Sequence, residues 1–215
     1  VSEPDSTIFI KQYGCRQVQV VPNGVDEQYF APIASTVQSG SMVFTGSMDW
    51  RPNPDGVNYF IEEVFPLIRQ RVTDATFTVV GRKPPQWLIG LAAATDGVTV
   101  TGTVDDVRPY IARSALYAVP LRVGGGSRLK ILEALAMEKI VLSTSVGAEG
   151  LAVEEGKTAL LRDTPKELAE TACQVLTDPA RFQQLGKKGR DLIMQQYTWD
   201  AITKTMAALW ERARG

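Results

Sequence analysis

"ALYAVPLRVGGGSRLKILEALAMEKIVLSTS", residues 115–145, runs through an apolar segment, a glycine-rich turn, a helix-spaced segment and a second apolar segment. ALYAVP (115–120) and IVLSTS (140–145) are apolar through most of their length rather than alternating. Strands of that kind are covered on both faces, as in parallel sheets. SRLKILEALAM between them has helix spacing. A strand, a helix and a strand in that order form a crossover unit with parallel strands.

The same alternation extends in both directions. SMVFTG (41–46), TFTVVG (76–81), GVTVTG (97–102) and TALLR (158–162) read as further strands. The segment 53–72 has apolar residues at 57, 60, 61, 64, 65 and 68, which predicts a helix. PQWLIGLAAA and VRPYIARS read as helices, and three more helical segments lie near 165–177, 179–196 and 199–213. The fold class is therefore α/β, a doubly wound parallel sheet of Rossmann-like type. With strands numbered from residue 41, the common order 3-2-1-4-5-6 places the switch point between the first and fourth strands. The loops leaving those strands, 46–56 and 120–130, would then flank a ligand crevice.

Composition narrows the function. The chain has 215 residues, is 44% hydrophobic and 22% charged, and carries a net charge of −1. No overall basic field points to nucleic acid or an anionic membrane. No apolar stretch approaches a bilayer span. The opening residues VSEPDSTIFIKQYG lack a secretory leader pattern, and a cytoplasmic location is expected. Cys15 and Cys173 have no metal spacing and form no disulfide framework. The chain has no histidine, which removes Ser-His-Asp, Cys-His and His-metal chemistry. No G-x-G-x-x-G follows the first strand, which disfavours a dinucleotide oxidoreductase.

The glycine-rich turn carries the chemistry. A helix start has backbone N–H groups without intrahelical partners and roughly half a positive charge. Arg128 and Lys130 in a first turn oppose that dipole. A bound phosphate or diphosphate would reverse the sign and accept hydrogen bonds from Ser127 and the backbone. Without an anion, the two cations are simply solvated beside a flexible loop. Glu133 follows Lys130 by one turn. By residue type it fits a helix ion pair before it fits an acceptor for ribose hydroxyls.

VVPNGVD (20–26), FTGSMDWRPNPDGV (44–57), FTVVGR (77–82), VTGTVDDVRPYIARSALYAVPLR (100–122) and LKILEALAMEKIVLSTSVGAEGL (129–151) follow one another with a family's spacing. The chain resembles the C-terminal, donor-binding half of glycosyltransferase family 4 (group 1), retaining enzymes of GT-B fold. The resemblance spans nearly all of the chain, and 120–151 is its most specific part. It implies a nucleotide-sugar donor, with UDP- and GDP-sugars both represented. It also implies a glycan or lipid-linked acceptor held by another domain, and a role in bacterial cell-surface polysaccharide synthesis. No cofactor and no metal are implied, and no Asp-x-Asp motif is present. Membrane association would be peripheral at most. Three regions are expected: residues 1–20 as the end of the N-terminal half and linker, 21–196 as the donor domain, and 197–215 as a helix crossing back.

The resemblance also assigns residues. Glu133 matches the second of two family glutamates and would hold the ribose hydroxyls. Gly125 stands where the first, sugar-contacting glutamate is usual, as in the members that carry GGGSRLKILEA. Gly126, Ser127, Leu129 and Lys130 would supply contacts to the diphosphate, with Arg128 beside them. Lys130 and Glu133 are the candidate catalytic residues. After Gly46 the family usually places an arginine and, later, a lysine; here Ser47 and Asp55 stand near those places. Arg51 is the expected substitute cation, and Arg82 and Lys83 are further crevice candidates. The four tryptophans, Trp50, Trp87, Trp199 and Trp210, are expected to be packing residues. The departures leave two alternatives: a degenerate relative that binds a nucleotide sugar without transferring it, and a sugar-nucleotide epimerase of GT-B fold. The epimerases use a histidine absent here.

Overall fold

The computed structural model of the chain describes residues 3–16, 18–124 and 128–214. Six strands form one sheet: β1 (Ser41–Thr45), β2 (Thr76–Val80), β3 (Val98–Val100), β4 (Leu116–Val119), β5 (Val141–Ser143) and β6 (Leu160–Leu161). Their order is β3-β2-β1-β4-β5-β6, and every pairing is parallel. This is the expected 3-2-1-4-5-6 arrangement, with the switch point between β1 and β4. Every residue of β1, β4 and β5 is buried, as uniformly apolar strands require. Phe44, Phe60, Phe65, Phe77 and Tyr117 are among the largest fully buried side chains of the core.

The helices are α1 (Glu3–Tyr13), α2 (Pro52–Tyr59), α3 (Phe65–Arg69), α4 (Gln86–Ala94), α5 (Arg108–Arg113), α6 (Leu129–Ala136), α7 (Pro165–Thr177), α8 (Gln183–Gln196) and α9 (Trp199–Arg214). The helix expected over 53–72 is divided by a π turn, Phe60–Val64, between α2 and α3. Pro66 explains it. A proline inside a helix has no N–H to give and its ring crowds the carbonyl four residues back. The chain widens there, and the Phe65 amide donates to the Phe60 carbonyl, five residues back. A short 3₁₀ turn, Pro179–Phe182, likewise precedes α8. Helix α7 starts on a capping box in which Thr164 and Glu167 satisfy each other's amides.

Helix α6 ends in a Schellman motif. The Glu138 amide donates to the Leu135 carbonyl at 3.0 Å and the Lys139 amide to the Ala134 carbonyl at 3.0 Å. The motif forces Glu138 to φ +57°, a conformation that glycine adopts without the steric cost of a Cβ. Relief of that strain outweighs the extra freedom glycine has when unfolded. Glu138→Gly is therefore expected to stabilise the chain by about 0.5–1 kcal/mol. Urea unfolding checks this, and a loss of stability would contradict the strained cap.

The four tryptophans are not the packing residues the sequence suggested. Trp50, Trp87, Trp199 and Trp210 are all more than half exposed. The ring of Trp199 lies against Gly24, where an added Cβ would sit 2.8 Å from it. The Val25 amide beside it donates to the Tyr197 carbonyl at 2.8 Å, which ties segment 21–30 to the α8–α9 junction. Helix α9 exposes Met206 and Trp210, and α1 exposes Ile8, Phe9, Ile10 and Tyr13. Among the described residues, no helix is long and apolar enough to cross a membrane. None of them forms a group of three or more acidic, cysteine or histidine residues able to hold a metal ion.

Candidate functional site

The loops after β1, β2, β3 and β4 meet at the carboxyl edge of the sheet. They enclose a cavity of about 640 Å³ at the switch point. Backbone hydrogen bonds lock the loops together. The Gly46 amide donates to the Val80 carbonyl at 2.9 Å, Met48 to Arg82 at 2.9 Å, and Gly81 to Gly102 at 3.2 Å. The two glycines lie backbone against backbone. A Cβ on Gly81 would fall 1.7 Å from the Gly46 carbonyl oxygen, so no other residue fits there. A Cβ on Gly46 would meet the Lys130 ammonium at 2.7 Å and the Asn53 amide at 2.9 Å. Gly46 thus opens the floor of the cavity to a lysine that comes from the far side of the switch point.

Helix α6 brings that lysine. Leu129, Lys130 and Glu133 all line the cavity. Lys130 Nζ donates to Asn53 Oδ1 at 2.6 Å and stands 4.0 Å over the Phe44 ring. Asn53 in turn donates to the Ser47 carbonyl at 2.7 Å, so it ties Lys130 of α6 to the segment after β1. Burial pushes the Lys130 ammonium down to about 7, against the pull of Glu133 and with a contribution from Arg128. Burial pushes the Glu133 carboxyl up, and Lys130 opposes it. Beneath Glu133, the buried Tyr117 hydroxyl hydrogen-bonds the Thr45 hydroxyl. Burial and the nearby Glu133 raise the phenol's pKa. The site therefore offers three cationic residues, Arg82, Arg128 and Lys130, one carboxyl and the start of a helix in a partly desolvated hollow.

Two expectations need correction. Arg128 lies just before α6, as its cap residue, and not within the first turn. Its guanidinium is buried and donates to the Gly124 carbonyl at 2.7 Å and the Val146 carbonyl at 3.2 Å. It lines the cavity while fastening the β4 loop to the β5 loop. Arg51 lies outside this cavity. It precedes α2, and its side chain lines a separate shallow hollow with Pro54, Asp55, Asn58 and Trp87. Asp55 is held by Arg122, through Oδ1 at 2.8 Å and Oδ2 at 3.2 Å. Gly125, Gly126 and Ser127 lie outside the described residues.

Gly46 and Ser47 line the cavity as expected. Ser47 Oγ accepts from Arg82 Nε at 2.6 Å and donates to Asp49. Asp49 also pairs with Lys83 at 3.2 Å, and these hydrogen bonds hold its carboxyl below the usual range. Arg82 reaches the cavity, whereas Lys83 is not part of its lining. Asn53 and Phe30 were not singled out from the sequence. Asn53 lies within the 46–56 segment at the switch point, at the second position of α2, a place that signals ligand contact. Phe30 lies far from any strand end in sequence, and nothing local marks it.

Residues 39–178 match the sequence family described as glycosyl transferases group 1. A Mycobacterium tuberculosis protein (strain CDC 1551 / Oshkosh), a GDP-mannose-dependent alpha-(1-6)-phosphatidylinositol monomannoside mannosyltransferase, is 30% identical over 156 residues, 66% of this chain and 40% of its own length. The chain spans 40–50% of the length of the curated relatives it matches. Among solved structures, sucrose-phosphate synthase from Thermosynechococcus elongatus superposes with a TM-score of 0.80 at 22% identity, covering 99% of this chain and 57% of that one. The Anabaena protein Alr3699/HepE in complex with UDP gives 0.79 at 19% identity, covering 98% and 62%. Both share the parallel-sheet fold. From the family match over 39–178, the chain belongs to the glycosyl transferases group 1 family.

Proposed function

We propose that the chain is the donor-binding part of a glycosyltransferase of family 4, moving a sugar with retention from a nucleotide-diphosphate sugar to a glycan or lipid-linked acceptor. The observation that carries this reading is the cavity across four strand ends with Lys130 and Glu133 on one helix at its wall. Transfer leaves negative charge on the departing diphosphate. Preorganised donors aimed at that charge lower the barrier. The Lys130 ammonium and the amides opening α6 supply them without a metal. Glu133, three residues on, faces the same hollow as an acceptor for ribose hydroxyls. The glycines and Ser127 of the preceding loop complete the diphosphate cradle in this reading. Residues 21–196 are the donor domain, residues 1–20 and 197–215 join it to an acceptor domain, and the work is cytoplasmic synthesis of a cell-surface glycan. The mannosyltransferase named above uses GDP-mannose and the Anabaena protein binds UDP, so both bases are tested.

Calorimetric titration of the chain with UDP, GDP and ADP tests this. One nucleotide is expected to bind at micromolar affinity. Glu133→Ala is expected to weaken it at least tenfold, about 1.4 kcal/mol, by removing the ribose acceptor. Inorganic pyrophosphate, which has no ribose, should be unaffected by the same change. Equal loss for both ligands, or no nucleotide binding at all, would count against the assignment of Glu133 or of the donor site.

A further inference from the structure

The cavity changes character along the sheet. At the β1 and β4 end it is lined by Lys130, Ser47, Asn53 and Glu133; at the β3 end by Phe30, Val104 and Val107. Phe30 belongs to no strand or helix. Its amide donates to the Asp26 carbonyl at 2.9 Å and its side chain packs against the core. Arg108, at the first position of α5, holds the neighbouring Tyr29. Its guanidinium is gripped by both carboxylate oxygens of Asp106, through Nε at 2.9 and 3.0 Å and through Nη2 at 2.7 Å. From there Nη1 donates to the Tyr29 carbonyl at 3.0 Å, and the guanidinium carbon stands over the Tyr29 ring, 3.7 Å from its centroid. Tyr29 meets Phe30 edge to face, with ring centroids 5.0 Å apart. The other end of the segment is fixed by Asp26, whose Oδ1 accepts from the Tyr29 amide at 2.8 Å.

We infer that Arg108 is a positioning residue for the base end of the donor. Held by Asp106 and laid over Tyr29, it sets Phe30 opposite Val104 and Val107 as the walls of an apolar slot for the flat nucleobase. This rests on the proposed donor site. A guanidinium that is paired, bonded to a carbonyl and stacked at once cannot be replaced by a lysine, which lacks the fork and the plane. The slot takes a base by burying its faces, and aromatic faces serve any base. Phosphate binding at the α6 end needs none of these groups.

The test compares a ligand that has a base with one that has none. The chain is titrated with UDP, GDP and inorganic pyrophosphate as wild type, Arg108→Met, Tyr29→Ala and Phe30→Ala. Each variant is expected to weaken the preferred nucleoside diphosphate at least fivefold while pyrophosphate stays within twofold. Arg108→Lys is expected to behave like Arg108→Met. Should Arg108→Met not fold, Tyr29→Ala still decides, because it removes only the exposed ring and leaves the Asp106–Arg108 pair intact. Equal weakening of pyrophosphate, or unchanged nucleotide affinity in the folded variants, overturns the inference. Absence of any nucleotide binding by the wild type overturns the donor site itself, a result distinct from the other two.

Discussion

Lys130→Ala is expected to weaken nucleoside diphosphate binding at least tenfold, about 1.4 kcal/mol, and to remove most of its dependence on pH. The ammonium lines the cavity and is largely desolvated. It is anchored to Asn53 and lies over Phe44. Burial pushes it down to about 7, so above neutrality the empty site holds mainly a neutral amine. A bound diphosphate favours the charged form. Binding above pH 7 must therefore take up a proton, and affinity falls by up to tenfold for each pH unit. Below pH 7 the ammonium is already present and this dependence disappears. The window from pH 7.5 to 9.5 is diagnostic, since the terminal phosphate, with a second pKa of about 6, is fully ionised there. Titrations in buffers of different ionisation enthalpy should show proton uptake by the wild type and little by Lys130→Ala. A flat wild-type profile across the window would mean that Lys130 does not face the phosphate.

The same depressed value has a consequence for stability. Lys130 loses its proton more readily folded than unfolded, so the folded state binds fewer protons between about 7 and the ordinary lysine range. Its contribution to stability rises with pH through that interval. Nucleotide binding and fold stability are thus expected to respond to alkaline pH in opposite directions, which separates a local titration from general unfolding.

How far the sequence foretold this site depends on the range of each interaction. The six strands and their order were legible, because a strand buried on both faces must be apolar nearly throughout and the crossovers obey one hand. Lys130 and Glu133 were legible because helix spacing puts them one turn apart after a glycine-rich turn at the switch point. Arg51 was misplaced because sequence proximity to the β1 loop says nothing about which way a side chain leaves a helix start. Arg128 was placed in the first turn of α6, but it precedes the helix and its guanidinium is drawn to two loop carbonyls. Phe30 and Arg108 stayed hidden for a stronger reason. Their relation spans 79 residues, from Tyr29 to Arg108, and exists only after β3 and segment 21–30 are brought together. The π turn at Phe60–Val64 was missed, because the apolar spacing over 53–72 continues through Pro66 although a proline in a helix can kink, widen or end it.

Gly81→Ala is expected to cost about 3 kcal/mol or more, the upper end for an overpacked site, and to abolish nucleotide binding in any fraction that folds. The added Cβ would lie 1.7 Å from the Gly46 carbonyl oxygen and 2.7 Å from its carbon. Backbone, unlike the tip of a flexible side chain, has nowhere to turn. Both sides are pinned as well: the Gly46 amide to Val80 at 2.9 Å, and the Gly81 amide to Gly102 at 3.2 Å. Relief requires the β1 loop to move as a unit. That motion carries Gly46 away from its place beside Lys130 and Asn53, two of the groups at the polar end of the cavity. Stability and binding should therefore fall together, although Gly81 would offer the ligand no side chain. Gly90→Ala separates this from any general effect of replacing glycine. A Cβ on Gly90 meets nothing within 4 Å on the exposed side of α4. There the substitution should stabilise by about 0.5–1 kcal/mol through helix propensity and leave nucleotide affinity unchanged. Urea midpoints and titrations on both variants check the pair. A Gly81→Ala chain as stable as the wild type would mean that the β1 and β2 loops do not touch backbone to backbone, and that something other than Gly46 keeps the path to Lys130 open.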